Sequence, residues 1–248
     1  MRRWLIPPIE DADMIRKFGY NLDVDASSAG EDIIASGGNA WFPSAATDAA
    51  DIDIFSSHTD DNGVTPGDGA LTMDIFGLDS SYLLQSEPVT LNGTTDVHPT
   101  LDYIRIYRMK IKTVGGGATG TNVGNITVDD GAGNIFAYIP AGDGQTQQTA
   151  YTVPADYDHA ELVGLHAALI SKQAQSARLA LQVRDFGGAW RTVEVVGIGA
   201  SDAVRHDFNH FPQQIESKAD IRLRAITATA DNLEIAAHFD LWLMRTAE

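Results

Sequence analysis

The stretch Leu233-Glu-Ile-Ala-Ala-His-Phe-Asp-Leu-Trp-Leu-Met244 constrains the fold more than any other part of the chain. Leu233, Ile235, Ala237, Phe239, Leu241 and Leu243 recur at every second position. A period of two places them on one face of a half-buried strand. Ile221–Ala230 alternates in the same way and is joined to this stretch by Asp231-Asn232, which predicts a hairpin. A second hairpin is expected where Arg178–Phe186 turns at Gly187-Gly188 into Ala189–Val196. A chain built from such units is all-β, a sandwich or a barrel.

The rest of the sequence reads as two tandem β-sandwich domains behind an extended arm. Residues 1–30 form the arm, with Arg2, Arg3 and Trp4 followed by Pro7-Pro8, and one short helical turn is expected at Glu10–Lys17. Residues 31–114 form the first sandwich. Its strands include Ala50–Phe55 and Ala70–Phe76, and a hairpin is expected across Asn92-Gly93, between Pro88–Leu91 and Thr94–Val97. The polar run His58–Gly69 reads as a mobile loop. In the strand Leu101–Thr113 the apolar set changes phase between Ile104/Ile106 and Met109/Ile111, which predicts a bulge near Tyr107.

The glycine-rich run Gly115–Gly124 reads as a connector, and residues 115–248 as a second, jelly-roll-like sandwich. Strands are expected at 125–128, 134–139, 147–153, 160–170, 178–185, 189–196, 204–208, 220–230 and 233–244. Leu162, Leu165 and Leu169 are spaced like a helix stripe, whereas Gly164 and the flanking pattern argue for a strand. A lone helix on the sandwich is the alternative.

Thirty-four acidic against seventeen basic side chains give a formal charge of −17. Such a field repels phosphate backbones and anionic lipid, which argues against nucleic-acid and membrane partners. With 44% hydrophobic residues the chain can bury real cores. The absence of Cys excludes disulfides, thiol nucleophiles and Cys-rich zinc sites. No apolar run approaches the ~20 residues of a membrane-spanning helix. The first residues lack the apolar segment of a signal peptide, so assembly in a reducing cytoplasm is expected.

Motifs with chemical meaning dissolve on inspection. Gly115-Gly-Gly-Ala-Thr-Gly120 matches the spacing of a dinucleotide fingerprint, but loop and strand follow it where a helix N-terminus is required. Asp23-Val-Asp25 and Asp60-Asp61-Asn62 resemble calcium loops, yet Ser28 occupies the sixth position of the first and the second has no closing Glu. Seven scattered His include His206 and His210 beside Asp207, in a stretch that reads as strand and turn. No catalytic signature is present, so neither enzyme activity nor a cofactor or metal is expected. The candidate interaction surface is Arg184, Phe186, Trp190 and Arg191 around the Gly187-Gly188 turn, together with Trp4. Phe186 and Trp190 are either a cross-strand pair that stabilises the hairpin or an exposed anchor for a partner protein or glycan.

Several phrases resemble a family of virion structural proteins of tailed bacteriophages. They are Phe18-Gly-Tyr-Asn-Leu-Asp-Val-Asp25, Val89-Thr-Leu-Asn-Gly-Thr-Thr95, Leu101-Asp-Tyr-Ile-Arg-Ile-Tyr107, Ala141-Gly-Asp-Gly-Gln-Thr146 and Ala150-Tyr-Thr-Val-Pro154. Leu181-Gln-Val-Arg-Asp-Phe-Gly-Gly-Ala-Trp-Arg191 and Lys218-Ala-Asp-Ile-Arg-Leu-Arg-Ala225 complete the set. The chain departs from that pattern at Ala155-Asp-Tyr-Asp-His159, where such proteins tend to carry Gly-Lys-Thr. The resemblance implies a non-enzymatic protein on the particle exterior that decorates or stabilises the capsid as cement, fibre or spike base. Its expected partners are further copies of itself, with a trimer favoured, and the major capsid protein or neighbouring virion proteins. A tail-tip or baseplate component and a host-glycan-binding attachment protein are the alternatives.

Overall fold

The computed structural model describes residues 12–26, 30–117, 120–170, 175–199, 202–208 and 212–245. Within them the chain is all-β, and every strand pair is antiparallel. In chain order the first strands are β1 (Ala12–Val24), β2 (Glu31–Asp32), β3 (Asp53–Ser56), β4 (Ala70–Leu78), β5 (Leu84–Thr90) and β6 (Arg105–Val114). Next come β7 (Ile126–Asp129), β8 (Ile135–Ile139), β9 (Ala150–Thr152), β10 (His159–Leu169) and β11 (Ser176–Arg184). The last are β12 (Arg191–Gly199), β13 (Ala203–Asp207), β14 (Gln213–Glu216), β15 (Asp220–Ala228) and β16 (Leu233–Met244). A 3-10 turn at Ala49–Asp51, capped by the Asp48 carboxylate, precedes β3.

Two five-stranded sheets share one core. The first runs β1-β16-β10-β13 with β14 also on β10; the second runs β12-β11-β15-β2 with β9 on β15. Their inward residues interleave as Leu162, Leu165, Phe239 and Leu241 against Leu179, Leu181, Ile221 and Leu223. The alternating residues of β16 are all buried, as their period requires. Each large one withdrawn from water contributes about 1.5–3 kcal/mol. A separate core is enclosed by two three-stranded sheets, β3-β7-β8 and β5-β4-β6, around Ile54, Met73, Ile75, Met109 and Ile126.

Several expectations are corrected by the pairing. Ala12–Lys17 is strand rather than helical turn, and β1 forms an edge of the first five-stranded sheet, in register with β16 from Ala12↔Met244 to Asn21↔Ile235. Its inward positions include Lys17, Gly19 and Asn21, so the period-two signal is hidden by polar and small residues. β7, expected beyond a connector, pairs with β3, and β8 pairs with β7, so both enter its core. The described residues of the Gly115–Gly124 run are therefore loop, held on the 58–69 loop through Gly115 N–H to Gly69 O and Gly117 N–H to Asp68 O. The strands on either side of Asp231-Asn232 do not form a hairpin. β15 pairs with β11, β2 and β9, whereas β16 pairs with β1 and β10, so this turn crosses between layers. Asn92-Gly93 does turn the chain, with Gly93 at φ 62°, but Val97 bridges to Ile54 rather than back to β5.

Other readings coincide with the structure. β11 and β12 form the expected hairpin. In β6, Arg108 faces Phe76 and Ile106 faces Gly77, which leaves Tyr107 as the bulged residue. β10 is a strand, and a register shift between Leu162 and Gly164 explains why Leu162 and Leu165 both point inward three residues apart.

Candidate binding cleft

The β11–β12 hairpin reaches the side of the molecule where the two cores meet. Gly187 adopts φ +72°, a left-handed geometry suited to glycine, and the turn carries Phe186 and Trp190 to its flanks. The two rings do not pack on each other. Phe186 meets Tyr82 edge-on at 5.5 Å, and Trp190 meets Phe42 edge-on at 5.3 Å. Neither Phe42 nor Tyr82 belongs to the hairpin, so the aromatic contacts tie it to the chain between β2 and β3 and to the β4–β5 turn.

A carboxylate and two guanidinium groups form the base. Asp220, at the start of β15, is buried and accepts from Arg105 Nη2 at 3.0 and 3.2 Å and from Arg105 Nε at 3.1 Å. Arg184 Nε donates to its other oxygen at 3.0 Å, and the Thr152 hydroxyl donates as well. Arg105 Nη1 donates to the carbonyls of Pro43 and Ile104, both at 2.7 Å. This ion pair joins β6 of one core to β15 of the other, with every polar atom engaged. Behind it, the Arg222 guanidinium lies 4.1 Å from the Trp190 ring centroid and 3.5 Å from Asp32. Burial lowers the Arg222 pKa and raises that of Asp32, each offset by the other's charge.

Above this base lies an open cleft of about 320 Å³. Phe42, Tyr82 and Phe186 supply its rings, and its charged lining is Arg105, Arg184 and Lys218 with the single carboxylate of Asp220. Three cations against one anion leave a local excess of positive charge in a strongly acidic chain. The Lys218 ammonium lies 5.6 Å from the Phe186 centroid and 5.8 Å from that of Tyr82. Tyr82 and Lys218 have φ of 65° and 63°, uncommon for residues with side chains.

Of the residues singled out from sequence, Arg184 and Phe186 line this cleft, and Trp190 packs beside it on Phe42, Arg184 and Arg222. Arg191 instead pairs with Asp185 on the exposed hairpin flank, and Trp4 lies outside the described residues. Phe42, Tyr82, Arg105, Lys218 and Asp220 were not foreseen as a site, because they come from distant turns and strand ends and none stands in a motif with chemical meaning. Among the described residues no group of three or more His, Asp or Glu is arranged to hold a metal ion. Asp61, of the calcium-like Asp60-Asp61-Asn62, is spent on protein donors: the Ser56 hydroxyl and the N–H groups of Ala70, Val123 and Gly124.

No protein-family model and no curated protein matches the chain. Among solved structures, that of the infectious bursal disease virus Gt strain aligns with 95% of this chain and 73% of that one, at 10% identity and a TM-score of 0.22. The infectious bursal disease virus VP2 subviral particle aligns with 96% of this chain and 82% of that one, at 10% identity and a TM-score of 0.14. Likeness this slight carries no argument about fold or function.

Proposed function

We propose that the chain is a non-enzymatic structural protein on the exterior of a tailed-phage particle, where it decorates or stabilises the capsid as cement, fibre or spike base. It is built as two β-sandwich units, the one that joins β1 and β2 to β9–β16 being jelly-roll-like, and acts as a homo-oligomer. The observation that carries this reading is the outward face of β1. Met14, Phe18 and Leu22 are 73%, 43% and 52% exposed on a strand whose far edge has no partner among the described residues. An apolar row on an open sheet edge is a surface made to be covered, and a further copy of the chain covers it. The phage-like phrases along the sequence and the charge of −17 support an outer, solvent-facing position.

Light scattering on the purified protein, alone and mixed with particles, tests the proposal. An oligomer that sediments with DNA-filled heads, and that falls to monomers in Phe18→Lys, is the expected result. Binding to tails alone would place the chain at a tail tip or baseplate. A monomer that sediments with neither heads nor tails would remove the chain from the particle.

A further inference from the structure

The cleft beside the Gly187-Gly188 turn has the composition of a ligand site rather than of a simple seam. Arg105 is fully occupied by Asp220 and by carbonyls, and Arg184 commits its Nε and Nη2 to Asp220, so both chiefly form walls and supply field. Lys218 differs. Among the described residues its ammonium has no carboxylate or hydrogen-bond acceptor, only the rings of Phe186 and Tyr82. Phe186 is 65% exposed at the tip of the β11–β12 hairpin, where an apolar ring would otherwise be withdrawn from water. Tyr82 and Lys218 account for two of the three left-handed non-glycine residues among those described, and both send their side chains to this cleft. Backbone held in that region by its surroundings marks sites where placement of the side chain matters.

We infer that this cleft binds a carboxylate-bearing sugar ring, an acidic carbohydrate. An exposed aromatic face stacks on the C–H face of a pyranose, and the adjacent ammonium supplies a point charge for the ring's carboxylate. A volume of about 320 Å³ accommodates one such ring with part of a neighbour. An acidic peptide is the poorer fit, because carboxylate side chains are gripped best by a free guanidinium fork, and here Arg105 is fully engaged while the Nε–Nη2 edge of Arg184 is held by Asp220. The inference is independent of where on a particle the chain sits.

Saturation-transfer NMR with the whole protein and sodium glucuronate tests it, with glucose, acetate and triglutamate as comparison probes. Glucuronate should bind with a Kd on the order of 1 mM, and glucose and acetate at least about tenfold more weakly. Phe186→Ala and Lys218→Gln should each weaken glucuronate about tenfold, whereas Arg191→Ala, on the outer flank, should leave it unchanged. Phe186 is exposed and Lys218 lies in a turn, so at least one variant retains the fold. No transfer to glucuronate overturns the inference. So does equal binding of acetate that Phe186→Ala leaves intact, since that is a bare anion site. Preference for triglutamate assigns the cleft to an acidic peptide, and loss of oligomer in Phe186→Ala without sugar binding assigns it to contacts between copies.

Discussion

Lys17 Nζ donates to the carbonyl oxygen of Tyr107 at 2.6 Å, which fastens β1 to the bulge of β6. The rings of Tyr107 and Tyr151 lie 5.4 and 6.0 Å from the same nitrogen. Burial, aided by the charge of Arg108, lowers its pKa from 10.5 to about 7. Between those values the folded protein holds fewer protons than the unfolded chain, so stability rises with pH. Below about 7 the lysine is charged in both states and the whole burial penalty is present. Near pH 10 the rise ends, because burial raises the pKa of Tyr103, Tyr107, Tyr151 and Tyr157, and the stability this gives is lost as they ionise. Urea midpoints measured from pH 6 to pH 10 should therefore climb, by at most about 1.4 kcal/mol per pH unit from this one group. Lys17→Met should flatten the climb. A slope unchanged in that variant would show that Lys17 is not the source.

Asp220 balances Arg105 inside the protein, and removing one partner of a buried pair strands the other. Asp220→Ala should cost roughly 3–5 kcal/mol in chemical denaturation. The double variant Asp220→Ala with Arg105→Met should recover part of that loss, since it no longer buries a lone cation. Equal stability of the two variants would mean that water reaches Arg105 and solvates it.

Strand positions were legible in the sequence wherever one face is apolar and the other polar. β16 is the clearest case, and the phase change at Tyr107 marked a bulge because a bulge is a shift of period. Pairing was less legible. β15 and β16 bury their alternating residues against the same core from opposite layers, and a layer crossing at Asp231-Asn232 carries the same pattern as a hairpin. β1 escaped notice because its inward Lys17, Gly19 and Asn21 are polar or small, Lys17 bonding the Tyr107 carbonyl of β6 and Asn21 that of Asp32 in β2. The cleft was half legible. The hairpin announced Phe186 and Trp190, but Tyr82, Arg105 and Lys218 arrive through long-range contacts that no local spacing encodes.

The 58–69 loop was expected to move, and Asp61 is the reason to expect the opposite. Its carboxylate accepts from three backbone amides and one hydroxyl, drawing together the start of β4 and the chain before β7. Asp61→Ala leaves those buried donors without acceptors, at about 1–3 kcal/mol for each group that water cannot reach. Hydrogen exchange at the amides of Ala70, Val123 and Gly124 should accelerate together by at least about tenfold. Acceleration at Ala70 alone would show that the 115–124 loop is held by other contacts.

Two glycines should respond to alanine with opposite sign. A Cβ on Gly77 of β4 would lie 2.0 Å from the Arg105 carbonyl and 2.6 Å from the Tyr103 ring, so the strands must separate where β6 begins. Gly77→Ala should destabilise by about 1–3 kcal/mol or more. Gly197 of β12 has nothing within 4 Å of the same position and an ordinary φ. There alanine restricts only the unfolded chain, and Gly197→Ala should stabilise by roughly 0.5–1 kcal/mol. Melting curves of the two variants beside the parent decide the matter. If both shift the same way, the close approach of β4 and β6 at Gly77 does not control their pairing.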